Sequence, residues 1–550
     1  MTSVRDACFE VMRAEGMTTI FSNPGSTEIP FLVDLPTDIR FVLALHEGSV
    51  VGIATGHALG SGSPAFVLLH TTAGLGNAVG AIATARVNHA PLVIVVGQQD
   101  RRHLALQPFL AGELDGLAGD YPLEVLSPVI AADVPSAILR AAKVARQGRG
   151  PVIVIVPMGD WDAPADPSAT AAASRAVLSP RGTPPELADL VTALRASASP
   201  AIVAGSGNDS LEGWAALVTV AEQLNAPVWQ EAFGSRAGFP QDHPLFRGSL
   251  PADRPRVREA LSGHDLLLVV GTAALRQYPY TPGSLVPDGT RVFVVTADAA
   301  EANRSPAELA IIGDPATLCK AVSAQLGDGR PGSGLPLADH AQSDHALLEQ
   351  LKPHVEAYRL DPPAAGEPLR AAHVFQLLAQ RLPDNTTVVE ESPSSRPVLE
   401  ALIPARHPFG FLSAAMGGLG FAMPAAIGLR LARPEHPVIG VIGDGASMYS
   451  IQSLWTAAHL QVGVVFIILN NGGYAVMDRL ADARGGTAPW PSLAEVSVAA
   501  LAAGLGVESI KIDDYAKLTS VLDRVAPNLA SRQAPLLVEV VVMPDQTFSP

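Results

Sequence analysis

Residues 438–474 constrain the fold more than any other stretch of this chain. Two apolar runs, 438–442 and 462–469, are typical of buried strands, and a helix-compatible segment separates them. The first run ends at a GDG motif that contains Asp444, and the second ends at an NNGGY motif that contains Asn471. A strand–helix–strand unit of this kind almost always has parallel strands. We therefore expect Asp444 and Asn471 to lie at the carboxyl ends of neighbouring strands, where open α/β sheets bind ligands.

The residue types at this edge suit a divalent cation and a diphosphate. Asp444 offers a carboxylate, Asn471 an amide oxygen and Gly473 a backbone carbonyl. Hard oxygen ligands suit Mg²⁺, which also accepts phosphate oxygens into its shell. The helix that begins near Gly445 turns its amino end, which favours anions, to the same place. A lone GDG also occurs in ordinary turns, but the complete motif predicts a magnesium–diphosphate site.

Length, charge and cysteine content exclude several other kinds of protein. The 550 residues are too many for one core and predict two to four domains. A formal net charge of −16 disfavours nucleic acid and anionic membranes as partners. The two cysteines, Cys8 and Cys319, can form neither a disulfide framework nor a CxxC metal site. Since the first residues lack a signal-peptide core and no apolar run reaches membrane-spanning length, we expect a cytoplasmic protein.

Alternating helical and strand patterns recur in three blocks of similar size. Segments rich in Ala, Gly, Pro and Ser separate the blocks and predict linkers at 160–183 and 326–345. Alternation of this kind is typical of open parallel sheets with helices on both faces. The predicted fold class is α/β, with three doubly wound parallel-sheet domains over residues 1–180, 181–345 and 346–550.

Segments throughout the chain resemble those of thiamine diphosphate (ThDP) enzymes, and in particular those of the benzoylformate decarboxylase family. Besides the GDG and NNGGY motifs, they are FSNPGSTEIPFL, LALHEGSVVGIATG, HTTAGLGNAVGA, DHPLFRGSLP and GGLGFAMPAAIG. The resemblance implies a pyrimidine-binding domain, a central domain and a diphosphate-binding domain, in that order. It also implies ThDP and Mg²⁺ as cofactors. Because these enzymes hold the coenzyme between two subunits, we expect a homodimer at minimum and a homotetramer as the full assembly.

The resemblance gives roles to residues whose type alone leaves them open. Glu47 could simply be a helix-start carboxylate favoured by the dipole, but the resemblance implies that it hydrogen-bonds the aminopyrimidine. A lone histidine is often structural, yet His70 is implied to move protons while Ser26 orients the substrate carboxylate. The Gly417 carbonyl is implied to accept from the 4′-amino group, and Leu419 to bend the coenzyme. The further cofactor contacts implied are Gly25, Asn77, Gly443, Asp444, Gly445, Ala446, Asn471, Gly473 and Tyr474.

The expected substrate pocket departs from the family pattern. Tyr278 stands where the family has a second active-site histidine, and a phenol is a poor proton shuttle at neutral pH. Pro393 replaces a usual threonine. After the metal motif, Val476 adds bulk and Met477 is softer than the leucine of the family. The resemblance thus covers the residues expected to bind the coenzyme and metal and to transfer protons, but it leaves the identity of the substrate open.

We therefore expect decarboxylation of a small 2-oxo acid to an aldehyde and CO₂, with carboligation of an aldehyde as a side activity. Alternatives are a ThDP-dependent carboligase of the acetolactate synthase kind and a 2-hydroxyacyl-CoA lyase. Such a lyase should have an ADP-binding central domain and often a C-terminal lid, for which the residues after 542 leave little chain. A further alternative is a binding subunit without activity. The presence of Glu47, Asp444 and Asn471 together argues against it, because packing requires none of them.

Overall fold

A computed structural model describes residues 2–166, 182–327 and 355–544 of the chain. The described strands form three six-stranded sheets, and every pairing between them is parallel. This confirms the predicted α/β fold with three doubly wound domains. The two domain boundaries that the sequence predicts, most of the two linkers and residues 545–550 lie outside the described residues.

The first sheet lies within residues 2–166 and has the strand order β2-β1-β3-β4-β6-β5. Its central strands are continuous apolar runs because helices cover both faces, and all seven residues of β4 are buried. The strands are β1 Thr19–Asn23, β2 Arg40–Leu43, β3 Ala65–Leu69, β4 Leu92–Gln98, β5 Glu124–Leu126 and β6 Pro151–Pro157. The helices are α1 Val4–Ala14, α2 Ile29–Leu32, α3 Glu47–Ser61, α4 Thr71–Val87 and α5 Val134–Gly148.

The second sheet lies within residues 182–327 and has the order β12-β11-β10-β7-β8-β9. The order reverses between β7 and β10, which is the place where such sheets usually open a ligand crevice. The strands are β7 Pro200–Ala204, β8 Val228–Gln230, β9 Phe246–Ser249, β10 Leu266–Val270, β11 Arg291–Thr296 and β12 Leu309–Ile312. The helices are α6 Leu187–Ala196, α7 Leu211–Leu224, α8 Arg254–Ala260, α9 Ala299–Arg304 and α10 Pro315–Leu326.

The third sheet lies within residues 355–544 and has the order β14-β13-β15-β16-β18-β17. The strands are β13 Thr387–Glu391, β14 Phe411–Ser413, β15 Val438–Gly443, β16 Val465–Asn470, β17 Glu508–Ile512 and β18 Leu536–Val541. The helices are α11 Ala371–Ala379, α12 Arg396–Leu402, α13 Ala422–Ala432, α14 Asp444–Ser447, α15 Ser453–His459, α16 Ala475–Ala483, α17 Val498–Gly504 and α18 Tyr515–Val525. Thus β15 and β16 are neighbours, as the sequence predicts.

The helix expected between β15 and β16 is divided into α14 and α15. Ser447 donates to the carbonyl of Asp444 at 2.6 Å, and the turns that follow use bonds between residues three apart. Local bonds of both kinds compete with the bonds between residues four apart that a regular helix uses. Leu454 is buried in α15, whereas Ile451 lies before that helix and Trp455 is only half-buried.

Helices α3 and α13 join the first domain to the third through close backbone contact. A Cβ placed at Gly56 of α3 would overlap the carbonyl oxygen of Ala425, and one at Gly428 of α13 would overlap that of Ile53. Glycine at both positions therefore allows the two helices to touch directly. Among the described residues, no helix combines the length and the apolar character needed to cross a membrane.

Candidate active site

The carboxyl ends of β15 and β16 bring Asp444 and residue 471 to one edge of the third sheet. In the strand register Gly443 is opposite Leu469, so the residues that follow each strand are neighbours. Asp444 is only 4% exposed, and its two oxygens accept from the backbone N–H groups of Gly445 and Gly472, each at 2.9 Å. The amide oxygen of Asn471 accepts from the Gly473 N–H at 3.1 Å.

The other predicted residues of this motif surround the same edge. Gly443 ends β15, while Gly445 and Ala446 lie in α14. Tyr474 precedes α16, and its ring lies 3.4 Å from the position of a Cβ on Gly445. Burial raises the pKa of the Asp444 carboxyl, and the hydrogen bonds from Gly445 and Gly472 oppose that effect. A buried carboxylate beside amide and carbonyl oxygens is a donor set that suits a hard divalent cation.

Glu47 is held between two amide side chains of the first domain. It is the first residue of α3 and is 8% exposed. Its carboxylate oxygens accept one hydrogen bond each, from Asn23 at the end of β1 and from Asn77 in α4, both at 3.0 Å. A carboxylate has about four lone-pair sites, so acceptor capacity is left for a ligand. Asn77 is therefore next to Glu47, and Asn77 itself is exposed in the single chain.

His70 is paired with a buried glutamate and is itself partly buried. It follows β3 and precedes α4, and its Nδ1 lies 3.0 Å from a carboxylate oxygen of Glu28 and 2.9 Å from the hydroxyl of Thr27. Glu28 is buried and also accepts from the Gly25 N–H at 2.7 Å. When Nδ1–H donates to a carboxylate, Nε2 is the nitrogen left to exchange a proton.

Close packing by two glycines shapes the surroundings of this pair. A Cβ at Gly25 would overlap the His70 ring, and one at Gly97 of β4 would overlap the Glu28 carboxylate. Ser26 begins the short 3₁₀ helix Ser26–Glu28, one residue after Gly25, and is exposed. The predicted residues Gly25, Ser26 and His70 therefore lie together at the carboxyl ends of β1 and β3, which are paired in the sheet.

The segment before α13 carries Gly417 and Leu419. Gly417 has φ +70°, a left-handed conformation that glycine adopts at little cost, and its N–H donates to the Ala414 carbonyl at 3.0 Å. Leu419 is 36% exposed and Met416 is also exposed. At the other end of the segment, the carboxylate of Glu391 accepts the N–H groups of three successive residues, Gly420, Phe421 and Ala422.

A cavity of about 1080 Å³ opens between the second and third domains. Its wall includes Tyr278, Pro393, Gly417, Leu419 and Val476. Three of the four residues predicted for the substrate pocket thus share one cavity with two of the predicted coenzyme contacts, Gly417 and Leu419. Asp444, Asn471, Glu47 and His70 are not among its lining residues. Met477 is not among the lining residues and is exposed. No histidine occurs among the described lining residues, and Tyr278 holds its place by donating its N–H to the Ala252 carbonyl at 2.8 Å.

Several residues of this site were not predicted from the sequence. Glu28 stands in the NPGSTE segment and Glu391 ends the apolar run of β13, so both are acids that end or follow a buried strand. That is the same signal that identifies Asp444, and it could have indicated them. Asn23 likewise ends β1, directly before the Pro and Gly of the NPG turn.

Comparisons with known proteins agree with the three-domain fold. Three domain models of thiamine pyrophosphate (TPP) enzymes match this chain. The N-terminal TPP binding domain matches residues 2–118, the central domain 187–322 and the C-terminal TPP binding domain 395–540. Benzoylformate decarboxylase of Pseudomonas aeruginosa is 38% identical over 557 residues, which cover 100% of both chains. A putative acetolactate synthase large subunit of Mycobacterium tuberculosis is 26% identical and covers 96% of each.

Solved structures give the same result. The ThDP-dependent 4-hydroxybenzoylformate decarboxylase of Rhodococcus jostii RHA1 superimposes with a TM-score of 0.90 at 34% identity, covering 99% of this chain and 100% of that one. Benzoylformate decarboxylase of Polynucleobacter necessarius gives 0.89 at 30% identity, with 99% of each chain covered. The chain belongs to the thiamine diphosphate enzyme family. Within that family it is a benzoylformate decarboxylase-like enzyme of the carboxy-lyase type.

Proposed function

We propose that this enzyme removes CO₂ from a small 2-oxo acid and releases the aldehyde, with ThDP and Mg²⁺ as cofactors. The observation that carries the proposal is the presence, in one chain, of the Asp444 edge and the buried Glu47 carboxylate, each in a domain that matches a TPP-binding model. ThDP, when bound, supplies the nucleophilic carbon and the electron sink that cleavage of the C–CO₂ bond needs.

The residues of the third domain would bind the charged end of the coenzyme. Asp444, Asn471 and the Gly473 carbonyl would hold Mg²⁺, since their oxygens match the preference of this ion. Gly443, Gly445, Ala446 and Tyr474 would line the diphosphate, and Gly417 and Leu419 would contact the rings. The exposed, apolar side chain of Leu419 fits this role, because a bound ligand would remove it from water.

The residues of the first domain would act on protons. Glu47 would share a proton with the aminopyrimidine, held in place by Asn23 and Asn77. His70, oriented by Glu28, would give or take a proton through Nε2, while Ser26 would orient the substrate carboxylate. Gly25 would line the coenzyme. Since the second histidine of the family is replaced by Tyr278, His70 would carry the proton transfers near the substrate on its own.

We further propose a homodimer as the minimal active unit and a homotetramer as the full assembly. Leu106 and Phe109, close to the end of β4, are 82% and 88% exposed in the single chain, and Met416 and Tyr449 are exposed beside the third-domain site. If a second copy covered these side chains, their apolar area would be removed from water, and this supports the proposed assembly. The buried, unpaired cysteines fit a cytoplasmic location.

A carboligase is the second candidate, because acetolactate synthases at 24–26% identity cover 84–99% of this chain. A CoA lyase has less support. At the crevice between β7 and β10, the Gly207 N–H donates to the Gly271 carbonyl at 2.7 Å, and a Cβ on Gly271 would lie against the Asn208 backbone. The loops after β7 and β10 therefore pack directly against each other at this crevice.

The direct test is a substrate screen of the purified protein with ThDP and Mg²⁺. Aromatic, branched and short 2-oxo acids are offered, and CO₂ release is followed with and without an acceptor aldehyde. We expect CO₂ from at least one aryl 2-oxo acid. Formation of a 2-hydroxy ketone as the main product would favour the carboligase instead. Protein that retains ThDP but releases CO₂ from none of these acids would contradict the proposal.

The metal assignment is tested by Asp444→Ala. This variant should lose ThDP on gel filtration in the presence of Mg²⁺, because the buried carboxylate would no longer bind the cation. Asp384→Ala removes an exposed carboxylate of the same domain, one that pairs with Arg406, and should retain the coenzyme. If both variants retain ThDP equally, Asp444 does not bind the metal ion.

A further inference from the structure

Glu391 lies between the metal edge and the segment that carries Gly417 and Leu419. It ends β13, which is paired with β15, and in the register it is opposite Ile442. Its side chain is buried and faces the segment before α13. The adjacent Glu390 is equally buried but binds a different set of groups, since side chains of successive strand residues point to opposite faces.

The carboxylate of Glu391 accepts three backbone N–H groups in a row. One oxygen accepts from Gly420 at 2.5 Å, and the other accepts from Phe421 at 2.8 Å and Ala422 at 2.6 Å. Ala422 begins α13, whose first N–H groups have no partner within the helix. No side chain of the neighbouring residues caps this helix, so Glu391 does so from another strand, and its charge suits the positive end of the helix.

The same three bonds fix the end of the segment that carries Leu419. The beginning of the segment is held separately, because the Ala415 N–H donates to Asn88 at 3.0 Å and its carbonyl accepts from Arg276 at 3.3 Å. Between these anchors, residues 416–419 are exposed. The position of Leu419 therefore depends on Glu391 at the one end and on the Ala415 contacts at the other.

We propose that Glu391 is a positioning residue, which holds the segment 417–420 so that the Gly417 carbonyl and the Leu419 side chain meet the coenzyme. This inference rests on the proposed ThDP site. Burial, opposed by the three N–H donors, raises the pKa of the Glu391 carboxyl to about 7.

The test is a double-mutant cycle on ThDP affinity, measured by calorimetry with Mg²⁺ present and no substrate. In Glu391→Gln an amide –NH₂ faces backbone N–H donors, so we expect the Kd for ThDP to rise about tenfold or more. Leu419→Ala should also raise the Kd. If Glu391 acts through Leu419, the double variant should bind hardly worse than Glu391→Gln alone, whereas independent roles would multiply the two effects.

Glu390→Gln is the matched control, because it changes an adjacent buried glutamate whose oxygens accept from Ser392 and Ser413. It should lower thermal stability without raising the Kd for ThDP. If Glu391→Gln does not fold, Glu391→Asp replaces it in the cycle. Aspartate keeps the carboxylate but is shorter by one methylene, so the carboxylate lies farther from the three N–H donors. Multiplying effects, or an equal rise of the Kd in Glu390→Gln, would overturn the inference. No ThDP binding by the unchanged protein would instead contradict the proposed function.

Discussion

At the level of single residues, Glu47 is the group whose removal should be most costly to catalysis. Its two oxygens accept from the side-chain amides of Asn23 and Asn77, and either amide can turn to accept from the new –NH₂ of Glu47→Gln. The variant therefore keeps the size of the side chain but removes the acid–base function. We expect turnover to fall by about 10²–10⁴-fold while ThDP stays bound. Steady-state rates and ThDP binding are measured together. The control is Glu10→Gln, which changes an exposed partner of Arg13 and should leave turnover and ThDP binding unchanged. An unchanged turnover in Glu47→Gln would show that Glu47 has no catalytic role.

His70 allows a second test at this scale. With Nδ1 engaged by Glu28 and Thr27, only Nε2 can exchange protons with the substrate. His70→Ala should slow turnover by about 10²-fold or more, because general acid–base catalysis is lost. His459→Ala removes a histidine that stacks on Trp455 far along the chain and should have little effect on the rate. A near-normal rate for His70→Ala would leave His70 with a structural role only.

The sequence predicts some of these residues and not others for a physical reason. Asp444 and Asn471 each follow an apolar run, so one chirality rule places them at the same edge. The Glu28–His70 pair joins residues 42 positions apart and depends on the side-by-side register of β1 and β3, which no local pattern specifies. The position of Met477 relative to the cavity likewise depends on how α16 is oriented.

At the level of elements, the contact between α3 and α13 should be intolerant of added volume. A Cβ at Gly56 has no room against the backbone of Ala425. Gly56→Ala should therefore destabilise the protein by about 1–3 kcal/mol, the usual cost of overpacking. Thermal unfolding measures the effect. In α4, a Cβ at Gly80 has no atom within 4 Å, so Gly80→Ala should be neutral or stabilising. Equal melting temperatures for both variants would contradict the close packing.

Elements that are buried on both faces could be predicted closely. The strands Ala65–Leu69, Pro200–Ala204 and Leu266–Val270 coincide with the apolar runs of the sequence. The edge strands β5 and β12 were not predicted, because they are short and only partly buried, so their composition resembles that of loops. The division of α14 from α15 was missed because it depends on local hydrogen bonds rather than on hydrophobic periodicity.

At the level of the whole molecule, the candidate groups fall into two sets. Glu47 and His70 bind partners within the first domain, and Asp444 binds partners within the third. Among the described residues, no hydrogen bond joins Glu47 or His70 to Asp444. The proposed site lies between the first domain of one subunit and the third domain of another. Each active site of a dimer would then take Glu47 and His70 from one subunit and Asp444 from the other.

This arrangement predicts complementation between two inactive variants. In a mixed dimer of Glu47→Gln and Asp444→Ala, one site has both defects and the other has neither. After unfolding and joint refolding of equal amounts, about half of the dimers are mixed, and activity should return to about a quarter of that of the unchanged protein. Each variant refolded alone is the control. If every site lay within a single chain, the mixture would stay as inactive as its components, and the proposed location of the coenzyme would be wrong.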